Sequence, residues 1–279
     1  MSQPFAELLE NAFTTSKSLL MVGLDPEPKR FHARFADEEV GFTDFCCEIV
    51  DATAKYSCGF KPNFAHFAAR GYFSSLKKVI AYIKEKHPDK VVVLDVKRGD
   101  IGSTAEFYAE ESFKWFNADG ATVNPYLGFD AVKPFINYKD KGSFVLCRTS
   151  NPSAVEFQNL ILSITEEPVY IKLARTIVNN WNENKNLGLV VGATAPEELA
   201  IIRQIAGDDV PILLPGVGAQ GGDLKTCLAV GRNSRGTGLL VSVSRAVMYA
   251  FEKNVELSVG EAAEIAAKEL FNEMQQYHF

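Results

Sequence analysis

Short apolar runs alternate with longer stretches of helical periodicity along the whole chain. A brief apolar run between turn residues reads as a strand buried on both faces, and apolar positions recurring at three- and four-residue spacing read as a helix with one inward face. Eight strands are expected, at residues 18–25, 59–65, 91–97, 120–126, 142–150, 187–194, 211–217 and 238–244. Helices are expected at 44–55, 74–86, 103–116, 129–138, 169–184, 196–205 and 222–230, with 245–253 and 259–275 closing the chain. Such alternation builds parallel sheets. Eight units without a Pro/Gly/Ser-rich linker favour one closed (β/α)8 TIM barrel spanning residues 1–279, with C-terminal helices after the eighth strand.

A barrel of this kind carries its chemistry at the C-terminal ends of its strands. Polar residues end the apolar runs in the expected places: Asp25, Lys61 with Asn63, Asp95 with Lys97, Asn124, and Thr149 with Ser150. The richest segment is V-V-V-L-D-V-K-R-G-D-I-G-S-T at 91–104. Strand alternation predicts Asp95 and Lys97 on one face, with Asp100 just past the turn. With Asp25 and Lys61 converging on the same mouth, two lysines and three acids would share a small volume. The plainer alternative is a strand-end salt bridge with Asp100 capping the next helix. Carboxylate neighbours favour the ammonium form of Lys97, which suits it to donating a proton rather than to acting as an amine nucleophile.

The run Gly216-Val217-Gly218-Ala219-Gln220-Gly221 matches G-x-G-x-x-G. A dinucleotide site would need an acid at the end of the next strand, where this chain has Ser242-Val243-Ser244-Arg245. After a seventh barrel strand, glycines and backbone amides instead suit a phosphate, with the Arg245 fork beside them. Ser150, in R-T-S-N-P, is either a ligand contact or ordinary turn chemistry. His32, His66, His87 and His278 show no ligand spacing, so no metal site is expected. The aromatic run Phe60, Phe64, Phe67, Tyr72, Phe73 suits core and subunit surface better than base stacking.

Composition narrows the classes further. A formal charge of -6 and a pI near 5.4 argue against a general nucleic-acid binder, so an anionic ligand must be caught locally. The five cysteines lack C-x-x-C spacing and read as reduced, mostly buried thiols. The opening M-S-Q-P-F-A-E-L-L-E has no secretory pattern and no run is apolar enough to span a bilayer, so a cytoplasmic protein without membrane contact is expected.

Taken together, G-L-D-P at 23, F-K-P-N at 60, L-D-V-K-R-G-D-I-G-S-T at 94, C-R-T-S-N-P at 147, L-P-G-V-G-A-Q-G-G-D at 214 and S-R at 244 closely resemble the orotidine 5'-phosphate decarboxylase family, in its longer bacterial form. The match runs in order from the first strand to the eighth. The resemblance implies a homodimer that decarboxylates orotidine 5'-phosphate to UMP with no cofactor. It implies that Asp25 and Lys61 bind ribose hydroxyls, that Asp95 faces the substrate carboxylate, and that Lys97 protonates C6. Asp100 and Thr104 would reach into a neighbouring subunit's site. Ser150 and Pro215 would contact the pyrimidine, Gln220 would bridge pyrimidine and phosphate, and Arg245 with the backbone around Gly218 and Ser244 would hold the phosphate. Ser244 stands where many relatives have glycine, and no role carries over to Asn63. Two alternatives remain: a phosphosugar decarboxylase or synthase barrel using magnesium, and a silent barrel that binds a nucleotide.

Overall fold

Eight parallel strands close on themselves in chain order in the computed structural model, which describes residues 3–35, 38–218 and 221–277. They are β1 Leu20–Leu24, β2 Gly59–Pro62, β3 Val91–Arg98, β4 Gly120–Val123, β5 Gly142–Arg148, β6 Leu187–Val191, β7 Ile212–Pro215 and β8 Leu239–Val243. Closure is made by β1 against β8, with Leu20, Met21 and Val22 opposite Val241, Ser242 and Val243. All five residues of β1 and of β6 are buried, because one face fills the barrel and the other lies under helices. Each such Leu or Val contributes roughly 1.5 to 3 kcal/mol of transfer free energy. All eight expected strands are present.

Seven of the eight expected strands run too far at their C-terminal ends, whereas β3 continues one residue beyond the expected end, to Arg98. Asp25, Asn63, Asn124, Thr149 and Ser150 all lie just beyond the ladder, where the chain leaves the sheet and turns into the mouth. Phe64 and Ala65, expected in the second strand, instead start a short helix that Asn63 caps, its side chain accepting from the Ala65 N–H.

The helices are α1 Phe5–Ser16, α2 Glu39–Thr53, α3 Phe64–Ala68, α4 Phe73–Lys86, α5 Gly102–Glu110, α6 Phe129–Ile136, α7 Val169–Thr176, α8 Pro196–Ala206, α9 Leu224–Gly231, α10 Arg245–Met248 and α11 Val259–Gln275. α5 and α7 continue into π-helical turns, Glu111–Trp115 and Ile177–Trp181, which account for the longer periodic stretches expected there. The bounds of α11 are those expected, because Ser258 and Glu261 form a reciprocal capping box. α1 was outside the expected pattern. It buries Phe5, Leu9, Ala12 and Phe13 on one face, and Phe5 meets Phe144 edge to face at the N-terminal end of the barrel.

Phe60 and Phe67 belong to the core, Phe64 and Tyr72 pack against it, and Phe73 is exposed. His66 is held by the Pro26 carbonyl, 3.1 Å from Nδ1. All five cysteines are unpaired, and burial pushes the Cys147 thiol up to about 12. Among the described residues no helix is long and apolar enough to cross a membrane.

Candidate active site

The C-terminal ends of the strands surround a cavity of about 530 Å³. Asp25, Lys61, Asp95, Lys97, Ser150, Pro215, Ser244 and Arg245 all line it, eight residues singled out from sequence. Leu146, Val190 and Leu213 add apolar wall, so a flat apolar group and a charged one can be held at once.

Asp95 is the hub. Its Oδ2 accepts from Lys61 Nζ at 2.8 Å, and its Oδ1 from Lys97 Nζ at 2.6 Å and from the Thr122 hydroxyl at 2.9 Å. Asp95 and Lys61 are buried, whereas the Lys97 side chain is half exposed toward the cavity side of the pair. A carboxylate buried alone would cost several kcal/mol, and two ammonium partners offset that. Burial works against the charged form of Asp95, but Lys61 and then Lys97 hold it well below the ordinary carboxylate range. For Lys61 burial again opposes charge, and the attraction of Asp95 and Asp25 still raises its ammonium above the usual value.

The Asp95–Lys97 contact does not arise from simple strand alternation. β3 loses register with β4 after Leu94: Leu94 pairs with Ala121 and Arg98 with Val123, so four residues of β3 advance against two of β4. Lys97 lies in this bulge with φ of 47°, a left-handed backbone that side chains other than glycine seldom adopt. Thr122 Oγ1 accepts from the N–H groups of both Val96 and Lys97, at 3.0 and 2.9 Å.

Asp25 is fixed through its backbone. The Tyr249 hydroxyl donates to the Asp25 carbonyl at 3.0 Å and accepts from the Glu27 N–H at 2.6 Å, which ties the end of β1 to the segment after α10. The Asp25 side chain is left with a buried Oδ1 that has no hydrogen-bond partner among the described residues. Buried polar atoms are normally satisfied, so this orphan beside a cavity suits a ligand hydroxyl. Ser244 is accommodated by Gly23, where a β-carbon would stand 1.8 Å from Ser244 Oγ. The serine side chain therefore packs over β1.

Three expected residues do not line this cavity within the chain. Asp100 does not line the cavity; its Oδ1 accepts from the neighbouring Ile101 N–H at 2.8 Å, and no side chain caps α5. The expected cluster of three acids thus reduces, within one chain, to Asp95 and Asp25. Thr104 is exposed on α5, also outside the cavity. Gly218 borders an adjacent cavity of about 660 Å³ that shares Arg245, and its N–H donates to the Gly222 carbonyl, so that amide is already used within the loop. Gln220 lies outside the described residues.

Thr122 and Gln158 are among the lining residues that the sequence reading missed. Thr122 looks like an ordinary β-branched strand residue. Gln158 comes from the stretch after β5, where its amide clamps Thr149 through the N–H and the hydroxyl, both at 2.8 Å. Asn63 and Asn151 line the cavity as well. Among the described residues no group of three or more His, Cys, Asp or Glu is disposed to hold a metal ion.

The family model described as orotidine 5'-phosphate decarboxylase / HUMPS matches residues 18–258. The orotidine 5'-phosphate decarboxylase of Bordetella pertussis is 47% identical over 260 residues, 93% of this chain and 95% of its own. That of Dechloromonas aromatica is 50% identical over 246 residues, 88% and 90% of the two chains. Among solved structures, OMP decarboxylase from Leishmania donovani superposes with a TM-score of 0.83 at 35% identity, covering 98% of each chain. The chain belongs to the orotidine 5'-phosphate decarboxylase / HUMPS family.

Proposed function

We propose that this chain decarboxylates orotidine 5'-phosphate to UMP and CO2, with Lys97 as the proton donor and no metal or organic cofactor. The observation that carries the reading is the Lys61–Asp95–Lys97 line at the barrel mouth, with its outer ammonium half exposed beside the cavity. Breaking the bond between C6 and the carboxylate leaves an electron pair on C6 with little resonance help. A fixed ammonium stabilises that charge as it develops, and its proton then passes to C6; solvent restores the lysine. Asp95 adds repulsion against the substrate carboxylate: two unit charges about 3 Å apart, at an effective dielectric of about 20, repel by roughly 5 kcal/mol. This is the smaller contribution, because only part of it is relieved in the transition state.

Within this reading the orphan Asp25 Oδ1 and Lys61 take the ribose hydroxyls, and Ser150 and Pro215 take the pyrimidine. Arg245 holds the phosphate, with the backbone at Ser244. Phosphate binding far from C6 supplies energy that keeps the reacting groups in place. Asp100 and Thr104 serve the site of a second copy in a homodimer, which accords with their place outside the cavity of their own chain. Gln220 is assigned a bridge between pyrimidine and phosphate by resemblance alone.

The test is a spectrophotometric assay of the purified chain on orotidine 5'-phosphate, with and without EDTA. Turnover unchanged by EDTA is expected. No turnover, or turnover lost on chelation, overturns the reading in favour of a silent or a magnesium-dependent barrel. Mixing Lys97→Ala with Asp100→Ala chains should restore part of the activity, and proven heterodimers without recovery would remove the cross-subunit role.

A further inference from the structure

We propose that Thr122 is the positioning residue of Lys97: its hydroxyl holds the lysine backbone in the left-handed conformation that brings the ammonium to Asp95 and the cavity. The inference rests on Lys97 being the proton donor. Thr122 lies on β4 and is 1% exposed. A threonine hydroxyl has one proton to donate and two lone pairs. Here the proton goes to Asp95 Oδ1 at 2.9 Å, and the two lone pairs receive the N–H groups of Val96 and Lys97. Nothing is left over for a ligand, so the hydroxyl acts through its neighbours.

Two of those neighbours, Asp95 and Lys97, are the groups whose relation decides the chemistry. A β-strand that stayed in register would place a lysine here with an extended backbone. β3 instead slips against β4 between Leu94 and Arg98, and Lys97 sits at φ of 47° within the slip. The same oxygen grips both backbone N–H groups of the bulge and the carboxylate that binds the lysine side chain. It therefore fixes the start and the end of the Lys97 side chain relative to each other. Branching at Cβ restricts χ1 of threonine, so the hydroxyl is held in that place rather than rotating among partners. A residue serving only to fill volume would do as well as valine.

Thr122→Val keeps volume and branching and deletes only the hydrogen bonds. With orotidine 5'-phosphate as substrate, kcat should fall about 100-fold, the loss typical when a reacting group is misplaced by about 1 Å, while UMP affinity changes by less than about threefold. Thr122→Ser should recover at least about tenfold of that loss, since it restores the oxygen without the branching that steadies it. A crystal structure of Thr122→Val should show Lys97 outside the left-handed region. A kcat within about threefold of the unmodified chain overturns the proposal, as does a Lys97 backbone unchanged in that structure. Parallel loss of kcat and UMP affinity that serine does not restore also overturns it, since that marks a packing role. If Thr122→Val does not fold, Thr122→Ala is read by the same criteria. Should the unmodified chain fail to decarboxylate, the decarboxylase reading falls, and the Lys97 backbone angle in the variant still decides what Thr122 does.

Discussion

Two aspartates, each set between two lysines, stand at opposite ends of the barrel and do different work. Asp95 lies in the C-terminal half of β3 with Lys61 and Lys97; Asp119 precedes β4 with Lys84, which it contacts through Oδ1, and Lys141, 3.7 Å from the same oxygen. The two acids are about equally buried, at 8% and 5% exposed, so neither composition nor burial separates them. Their remaining bonds do. Asp119 Oδ2 accepts from the Val92 N–H, its own N–H donates to the Val92 carbonyl, and its carbonyl accepts from Gly142. These bonds stitch together the starts of β3, β4 and β5. The Asp95 group instead adjoins an open cavity, carries a lysine in a strained backbone, and lies near an aspartate oxygen with no partner among the described residues. An ion-pair cluster is a functional candidate when it keeps unspent charge or hydrogen-bonding capacity toward a space that a ligand can enter.

The largest effect expected is at Lys97. Lys97→Ala should lower turnover of orotidine 5'-phosphate by about 10⁴-fold or more, combining loss of the proton donor with loss of charge stabilisation, while UMP still binds. Retained turnover would erase the distinction between the two clusters. Asp119→Asn sharpens the contrast from the other side. It should reduce the unfolding free energy by about 2 to 3 kcal/mol, at the low end for a broken buried pair because Lys84 is partly solvated, and leave kcat of the folded protein within about threefold. Urea unfolding and steady-state kinetics on the same sample separate the two, and a collapse of kcat in folded Asp119→Asn would break the comparison.

How much of this contrast was legible in the sequence follows from what each signal depends on. The strands were readable because both faces of a barrel strand are buried, giving continuous apolar runs such as V-V-V-L at 91–94. Asp95 follows an apolar run and Asp119 precedes one, but the sequence reading singled out only Asp95. The strand ends were harder: Asn124 and Ser150 follow residues of high β-propensity, and only the end of the paired register, at Val123 and at Arg148, shows that the strands have stopped. α1 carries a readable pattern in Phe5, Leu9, Ala12 and Phe13, but it plugs the end remote from the chemistry. Thr122 was invisible because its role depends on a left-handed Lys97, which a period of two does not predict. Asp100 and Thr104 are close to Lys97 in sequence, yet α5 carries them away from the cavity of the same chain. Gly218 looked available as an amide donor until the loop's own Gly222 carbonyl was found to accept from it.

The smallest effect is also the most direct test of how the two clusters differ in charge. Around Lys61, burial is the largest single influence and opposes the ammonium, yet attraction to Asp95 and Asp25 raises its pKa above the ordinary lysine value of 10.5. Around Lys141, burial again leads; Lys84 repels, and the attraction of Asp119 does not restore the balance, so its pKa lies below 10.5. The signs of their contributions to stability are therefore opposite. Lys61 stabilises the fold fully below pH 10.5, and that contribution drains away as pH rises through its higher folded value. Lys141 is charged at a cost in the fold, so stability grows as pH rises from its folded value to 10.5, where the unfolded chain also loses the proton. Urea midpoints measured between about pH 9 and 11 should fall less steeply for Lys61→Met than for the unmodified chain, and more steeply for Lys141→Met, each by about 1 kcal/mol or less across the window. If both substitutions tilt the profile the same way, the two clusters are electrostatically alike, and only the cavity and the strained Lys97 backbone remain to set them apart.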